Sequence, residues 1–148
     1  MGVLDRMLGK KPHPELAAVP HANVLVDRLS DPDPVVRQKA ERALVSLGAG
    51  AVDAVLRQGR GIRNVRDSAV RWYAARVLGQ IGGERAIGAL ASALTDHDDD
   101  VVLEVIDGLG RIGDESAAAV LRIFAKSTNN QWLRNRARSA ARQIERRR

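Results

Sequence analysis

At 148 residues the chain has the length of one domain. It has no cysteine, which excludes a disulfide framework, a thiolate zinc site and cysteine catalysis. The net charge of +6 favours acidic partners such as nucleic acid, anionic lipid or acidic protein surfaces, and with only 3% aromatic residues any core is built from Leu, Val, Ile and Ala, which suits closely packed helices.

The chain opens on MGVLDRMLGKK, whose apolar stretch is too short for a signal peptide. Gly2 is followed by Arg6 where a myristoylation signal wants Ser or Thr. No apolar run approaches the length of a membrane span, and a cytoplasmic protein is expected. Prolines at 12, 14 and 20 set residues 1–20 apart as an N-terminal extension. Within it Val3, Leu4, Met7 and Leu8 are expected to form a short helix that covers the first repeat.

From residue 21 onward the chain repeats itself. LVSLGAGAVDAVL at 44–56, LGQIGGERAIGAL at 78–90 and LGRIGDESAAAVL at 109–121 align without gaps. Gly48, Gly82 and Gly113 recur at spacings of 34 and 31 residues, and Glu145 takes the glycine's slot 32 residues further on. A period in this range marks a solenoid or an array. Four units follow, at about 21–48, 49–82, 83–113 and 114–148, each a helix pair.

The first helices are expected at roughly 21–30, 49–58, 84–95 and 114–127. The second helices carry an apolar stripe at helical spacing: Val36, Ala40, Ala43, Leu44 and Leu47 in the first unit. The equivalents are Val70 to Ile81, Val101 to Ile112 and Leu133 to Ile144. Asp33, Asp67, Asp98 and Asn130 stand where an N-cap is wanted, Pro34 takes a first helical position, and glycine follows three of the four helices. In the last unit Arg136, Arg138 and Arg142 supply the polar outer surface that a terminal repeat needs.

The run D-x-x-V-R-x-x-A-x-x-A/V-L-x-x-L/I-G, at 33–48 and again at 67–82, resembles the HEAT repeat. The short period and the LGxIG turn look most like the HEAT-like subtype named after phycobilisome lyases. The resemblance covers residues 21–148 and implies an all-α fold, a right-handed α-solenoid of about four HEAT-like helix pairs with the second helices on the concave side. It also implies a structural ladder through Asp33 with Arg37, Asp67 with Arg71, and Asn130 with Arg134, interrupted where Val102 fills the arginine slot. Such repeats occur in chromophore-lyase subunits, in a DNA glycosylase group and in scaffolds without catalysis.

Sequence motifs for chemistry are absent. His13, His21 and His97 are scattered, and neither a G-x-S-x-G elbow nor a phosphate-binding G-x-x-x-x-G-K-[ST] loop occurs. Asp96, Asp98 and Asp100 alternate like the start of a calcium loop, but Val101 fills the slot that needs glycine and no glutamate closes the loop, so helix capping explains them better. No metal, no cofactor, no small-molecule substrate and no enzymatic activity are expected.

The side of the second helices opposite the stripe is more informative. It carries Gln38, Arg42 and Val45, then Trp72, Arg76 and Gly79, then Leu103, Asp107 and Gly110, then Asn135, Ser139 and Arg142. Trp72 and Leu103 at equivalent slots are expected to form an apolar patch on the concave surface, with Tyr73 at the edge of a helix–helix contact. Gly79 is expected on the exposed face, leaving bare backbone for a partner. An exposed Trp beside Arg is typical of interface hot spots. The expected function is therefore a non-catalytic scaffold that binds another protein, through Gln38, Arg42, Trp72, Arg76, Gly79, Leu103, Asp107 and Arg142. The alternative partner is nucleic acid, held by Arg57, Arg60, Arg63, Arg66, Arg134 and Arg138. Against it, an acidic third unit (Asp96 to Glu115) interrupts the basic track. A third reading, an accessory role in chromophore attachment, rests on the family resemblance alone.

Overall fold

Four aspartate or asparagine side chains set the starts of the second helices. Asp33, Asp67 and Asp98 each accept the backbone N–H two residues on, and Asn130 accepts those of Trp132 and Leu133. In the computed structural model, which describes residues 14–58 and 67–147, the helices are α1 (Pro14–Arg28), α2 (Pro34–Leu47), α3 (Ala49–Gln58), α4 (Ser68–Ile81), α5 (Glu84–Ala93), α6 (Asp99–Ile112), α7 (Glu115–Ser127) and α8 (Gln131–Arg146). There is no strand among the described residues. The short helix expected around Val3 to Leu8, and Arg60, Arg63 and Arg66, lie outside the described residues, as does the side chain of Arg57.

Glycine ends three of the second helices as the repeat pattern predicts. Gly48, Gly82 and Gly113 have φ of 60°, 74° and 71°, a region that a residue with a Cβ enters only with strain. Where Glu145 replaces the glycine, α8 simply runs on to Arg146. The N-terminal boundary differs from expectation. α1 starts at Pro14, not near residue 21, and passes through Pro20. Proline is well placed in a first turn, and at Pro20 its missing N–H removes one ladder bond without ending the helix.

The apolar stripes meet in one continuous core. Leu44, Leu78 and Leu109, at equivalent positions of the first three units, are fully buried, as are Ile144 of α8, Leu90 and Leu121 from the first helices and Leu29 just past α1. Each such burial contributes about 1.5–3 kcal/mol. The second helices α2, α4, α6 and α8 form one layer, and α1, α3, α5 and α7 form the other. From the second unit to the fourth, the second helices lie closer together than the first helices do. α4 and α6 are closest: a Cβ built on Gly79 would stand 2.6 Å from the Cα of Gly108.

This contact corrects the expectation for Gly79. It is buried, and it serves the packing of α4 on α6 rather than offering bare backbone to a partner. The physical reason is that a second helix inside a solenoid is covered twice, by its own first helix and by the next second helix. The buried arc is thus wider than the single stripe that periodicity reveals. Val45 likewise packs against the core, and Gly110 lies against Ala140 of α8.

The ladder also differs from the one implied by resemblance. Asp33, Asp67 and Asn130 spend their side-chain oxygens on capping. Arg37 donates to the carbonyls of Asp31 and Pro32, and Arg134 to that of Thr128, so both brace the loop that precedes their own helix. Arg71, by contrast, pairs with an acid of the next unit: its Nε and Nη2 meet the Asp96 carboxylate at 2.8 and 3.1 Å, with both side chains 2% exposed. Asp96 in turn accepts the backbone N–H of Asp98. Val102, at the arginine slot of the third unit, is buried. On the other layer Arg85 pairs with Asp53, linking α5 to α3.

Candidate binding face

Three grooves run between successive second helices. The first, about 350 Å³, lies between α2 and α4 and is lined by Val35, Gln38, Glu41, Trp72 and Arg76. The second, about 320 Å³, lies between α4 and α6, with Trp72, Tyr73 and Leu103 among its walls. The third, about 380 Å³, lies between α6 and α8 and is polar, with Asp107, Arg111, Arg136 and Gln143. Trp72 is common to the first two.

Trp72 is held in place from several sides. Its ring meets Tyr73 edge to face, with centroids 4.9 Å apart. The Arg76 guanidinium lies 5.3 Å from its ring centroid, within range of a cation–π attraction. Arg76 is itself fixed by Glu41, which accepts from Arg76 Nε at 2.6 Å and from Gln80 Nε2 at 2.8 Å. That hydrogen bond raises the already high pKa of Arg76, so the cation over Trp72 is permanent. Arg37 approaches Tyr73 in the same way, 5.8 Å from its ring centroid, and donates from Nε to the Tyr73 hydroxyl at 3.3 Å. Trp72 and Leu103 are half-buried rather than fully exposed, and Leu103 packs against the core.

Two buried carboxylates escape a reading by periodicity, Glu41 and Glu104. Glu41 occupies the forward slot where α4 has Ala75 and α6 has Ile106, and an acid in an apolar slot is the signal that could have found it. Glu104 accepts from Arg111 Nη2 at 3.0 Å. Burial raises its pKa above the usual 4.5, and the Arg111 hydrogen bond opposes that only in part. The acid is therefore neutralised more readily when folded than when unfolded. Its stabilising contribution is complete below the unfolded value and is lost as pH rises through the folded one. Glu104→Gln is thus expected to gain on the wild type between pH 4 and pH 7. Urea unfolding of both proteins at the two pH values reads that difference, and a pH-independent gap would disprove the raised pKa.

The remaining candidate residues are spread. Asp107 is half-buried and pairs with Arg136 at 2.8 Å, while Arg42 and Arg142 are exposed and line none of the three grooves. Among the described residues no cluster of His, Asp or Glu has the arrangement to hold a metal ion. No described helix is long and apolar enough to cross a membrane.

The family profile for HEAT repeats matches residues 60–142, more than half of the chain. The chain belongs to the HEAT-repeat family. HEAT repeats generally mediate protein interactions. Human deoxyhypusine hydroxylase, solved in complex with glycerol, has a similar fold, with a TM-score of 0.66 at 24% identity over 86% of this chain. The match takes in 43% of that enzyme, so this chain spans less than half its length. Two engineered proteins, each 25% identical, give TM-scores of 0.49 and 0.42; they cover 86% and 84% of this chain, and 63% and 37% of their own. No curated protein sequence matches.

As an array of HEAT repeats, the molecule has a distinct last unit. The forward slots that hold Ala75 and Gly79 in α4, and Ile106 and Gly110 in α6, hold Arg138 and Arg142 in α8. Both arginines are exposed. Arg136 instead points back to Asp107 of the preceding unit.

Proposed function

We propose that the chain is a non-catalytic protein-binding module that engages its partner along the layer of second helices. The observation that carries this reading is Trp72, which walls two grooves at once and is fixed there by Tyr73, Arg76 and Glu41. A ring ordered before binding loses little entropy when a partner covers it. Leu103 extends the apolar surface, and Gln38 and Arg76 supply polar partners at its rim. Burying the exposed parts of Trp72 and Leu103 would contribute a few kcal/mol; a micromolar contact, about −8 kcal/mol, needs the polar rim as well. A photo-crosslinking residue at Gln38 or Leu103 is expected to trap the partner, whereas one at Ile123 on the opposite layer is not. Adducts from Ile123 alone would move the interface to the first helices and overturn the reading.

A second reading has its own observation. Arg138, Arg142 and Arg146 follow one another along an exposed side of α8, and none forms an ion pair among the described residues. Three such contacts to duplex phosphates would give a slope of log K against log salt of about −2.7. Titration with labelled duplex DNA and RNA across salt tests this, and no binding at low salt removes it.

A further inference from the structure

The two aromatic rings divide the face of the second helices by charge. On the side of the first unit, cations already sit against both rings, Arg76 at Trp72 and Arg37 at Tyr73. On the side of the third unit, the groove between α4 and α6 is lined by Trp72, Tyr73 and Leu103 together with three carboxylates, Asp98, Asp100 and Glu104. No arginine or lysine is among its described lining residues. With no cation among its described walls, a pocket of aromatic carbon and carboxylates is complementary to one kind of visitor. The ring quadrupole attracts a cation to the aromatic wall, and the carboxylates add charge pairing and hydrogen-bond acceptors.

We propose that this groove receives an arginine or lysine side chain of a partner protein, presented on an extended basic segment. The occupant's aliphatic stem would lie against Leu103 and the Trp72 ring, and its charged head would meet Asp98 and Asp100. The volume of about 320 Å³ admits one such side chain and excludes a folded element. Asp100 is the exposed acid with no structural bond to lose among the described residues, whereas Asp98 caps α6 and Glu104 holds Arg111. Recognition would therefore depend on Asp100 most visibly, and it would weaken with salt because Asp100 is exposed. This inference rests on the protein-binding reading and names the chemistry of the partner.

The test uses the full chain with Trp132→Phe, so that Trp72 is the sole tryptophan and is excited at a wavelength where tyrosine does not absorb. A five-residue alanine peptide with one central arginine or lysine is titrated in, with central glutamine and glutamate peptides as controls. A saturable change in Trp72 emission with the cationic peptides only is expected. Asp100→Asn should weaken it at least fivefold, and Asp98→Asn, which keeps the cap, should weaken it further in combination. An equal response to the glutamine peptide, or full binding to the Asp100→Asn chain, would overturn the proposal. So would no response to any peptide. If crosslinks at Gln38 and Leu103 still trap a protein partner while the cationic peptides fail, this proposal alone is lost and the protein-binding reading stands.

Discussion

Asp96→Ala is expected to lower the unfolding free energy by about 3–5 kcal/mol, among the largest effects of any single change in the molecule. The Arg71 guanidinium is buried between the second and third units and meets both carboxylate oxygens of Asp96. Removing the acid leaves a cation in a desolvated site and takes away the acceptor for the Asp98 N–H, which positions the N-cap of α6. For a chain of this size the loss corresponds to about 10 °C or more in melting temperature. Replacing both partners, Arg71→Met with Asp96→Leu, should cost less than Asp96→Ala alone, because no charge is then left buried without its counterpart. Urea unfolding of the two single variants and the double variant gives the coupling directly. A loss below about 1 kcal/mol for Asp96→Ala would mean that the pair behaves as a solvated surface bridge.

The same pair shows where a reading of the sequence stops. Asp33, Asp67, Asp98 and Asn130 were legible as N-caps because a cap is a local event, fixed within two or three residues of its own chain. Gly48, Gly82 and Gly113 were legible as helix ends for the same reason. The apolar stripes followed from periodicity and led to the buried Leu44, Leu78, Leu109 and Ile144. What Arg71 touches depends on how one unit is set against the next, 25 residues further along, and spacing within a repeat carries no such information.

The binding face was half legible. Trp72 and Leu103 were found because they interrupt the expected polar side of a helix, and Gln38 and Arg76 because they share that side; the structure brings the four together along two adjoining grooves. Arg42 and Arg142 were selected by the same slot arithmetic yet lie away from those grooves, since the slot ignores that the first and last helices lack a neighbour on one side. Glu41 and Glu104 were missed because a buried acid is defined by its partner, and those partners are Arg76 of the next unit and Arg111 two turns along the same helix.

Gly79 is where the legible stripe and the hidden contact disagree, and a pair of substitutions separates the two. Alanine in place of a helical glycine gains about 0.5–1 kcal/mol if nothing obstructs it. Gly88 of α5 has open space around its missing Cβ, so Gly88→Ala is expected to raise stability by that amount. At Gly79 the same Cβ would stand 2.6 Å from the Gly108 Cα, and the obstacle is backbone of a neighbouring helix rather than a side chain that can swing aside. α4 and α6 must then separate. Overpacking of this kind costs about 1–3 kcal/mol, more than the gain in helix propensity, so Gly79→Ala should be net destabilising by about 1–2 kcal/mol. Gly79→Val, bulkier and stiffer, should lose about 3 kcal/mol or more. Since the groove walled by Trp72 and Leu103 lies along the same helix pair, the alanine variant should also bind its partner less tightly, whereas Gly88→Ala leaves binding unchanged. Thermal unfolding of the two alanine variants side by side decides the matter. If both are stabilised equally, α4 and α6 do not approach as closely as Gly79 and Gly108 allow, and the groove between them has a different width.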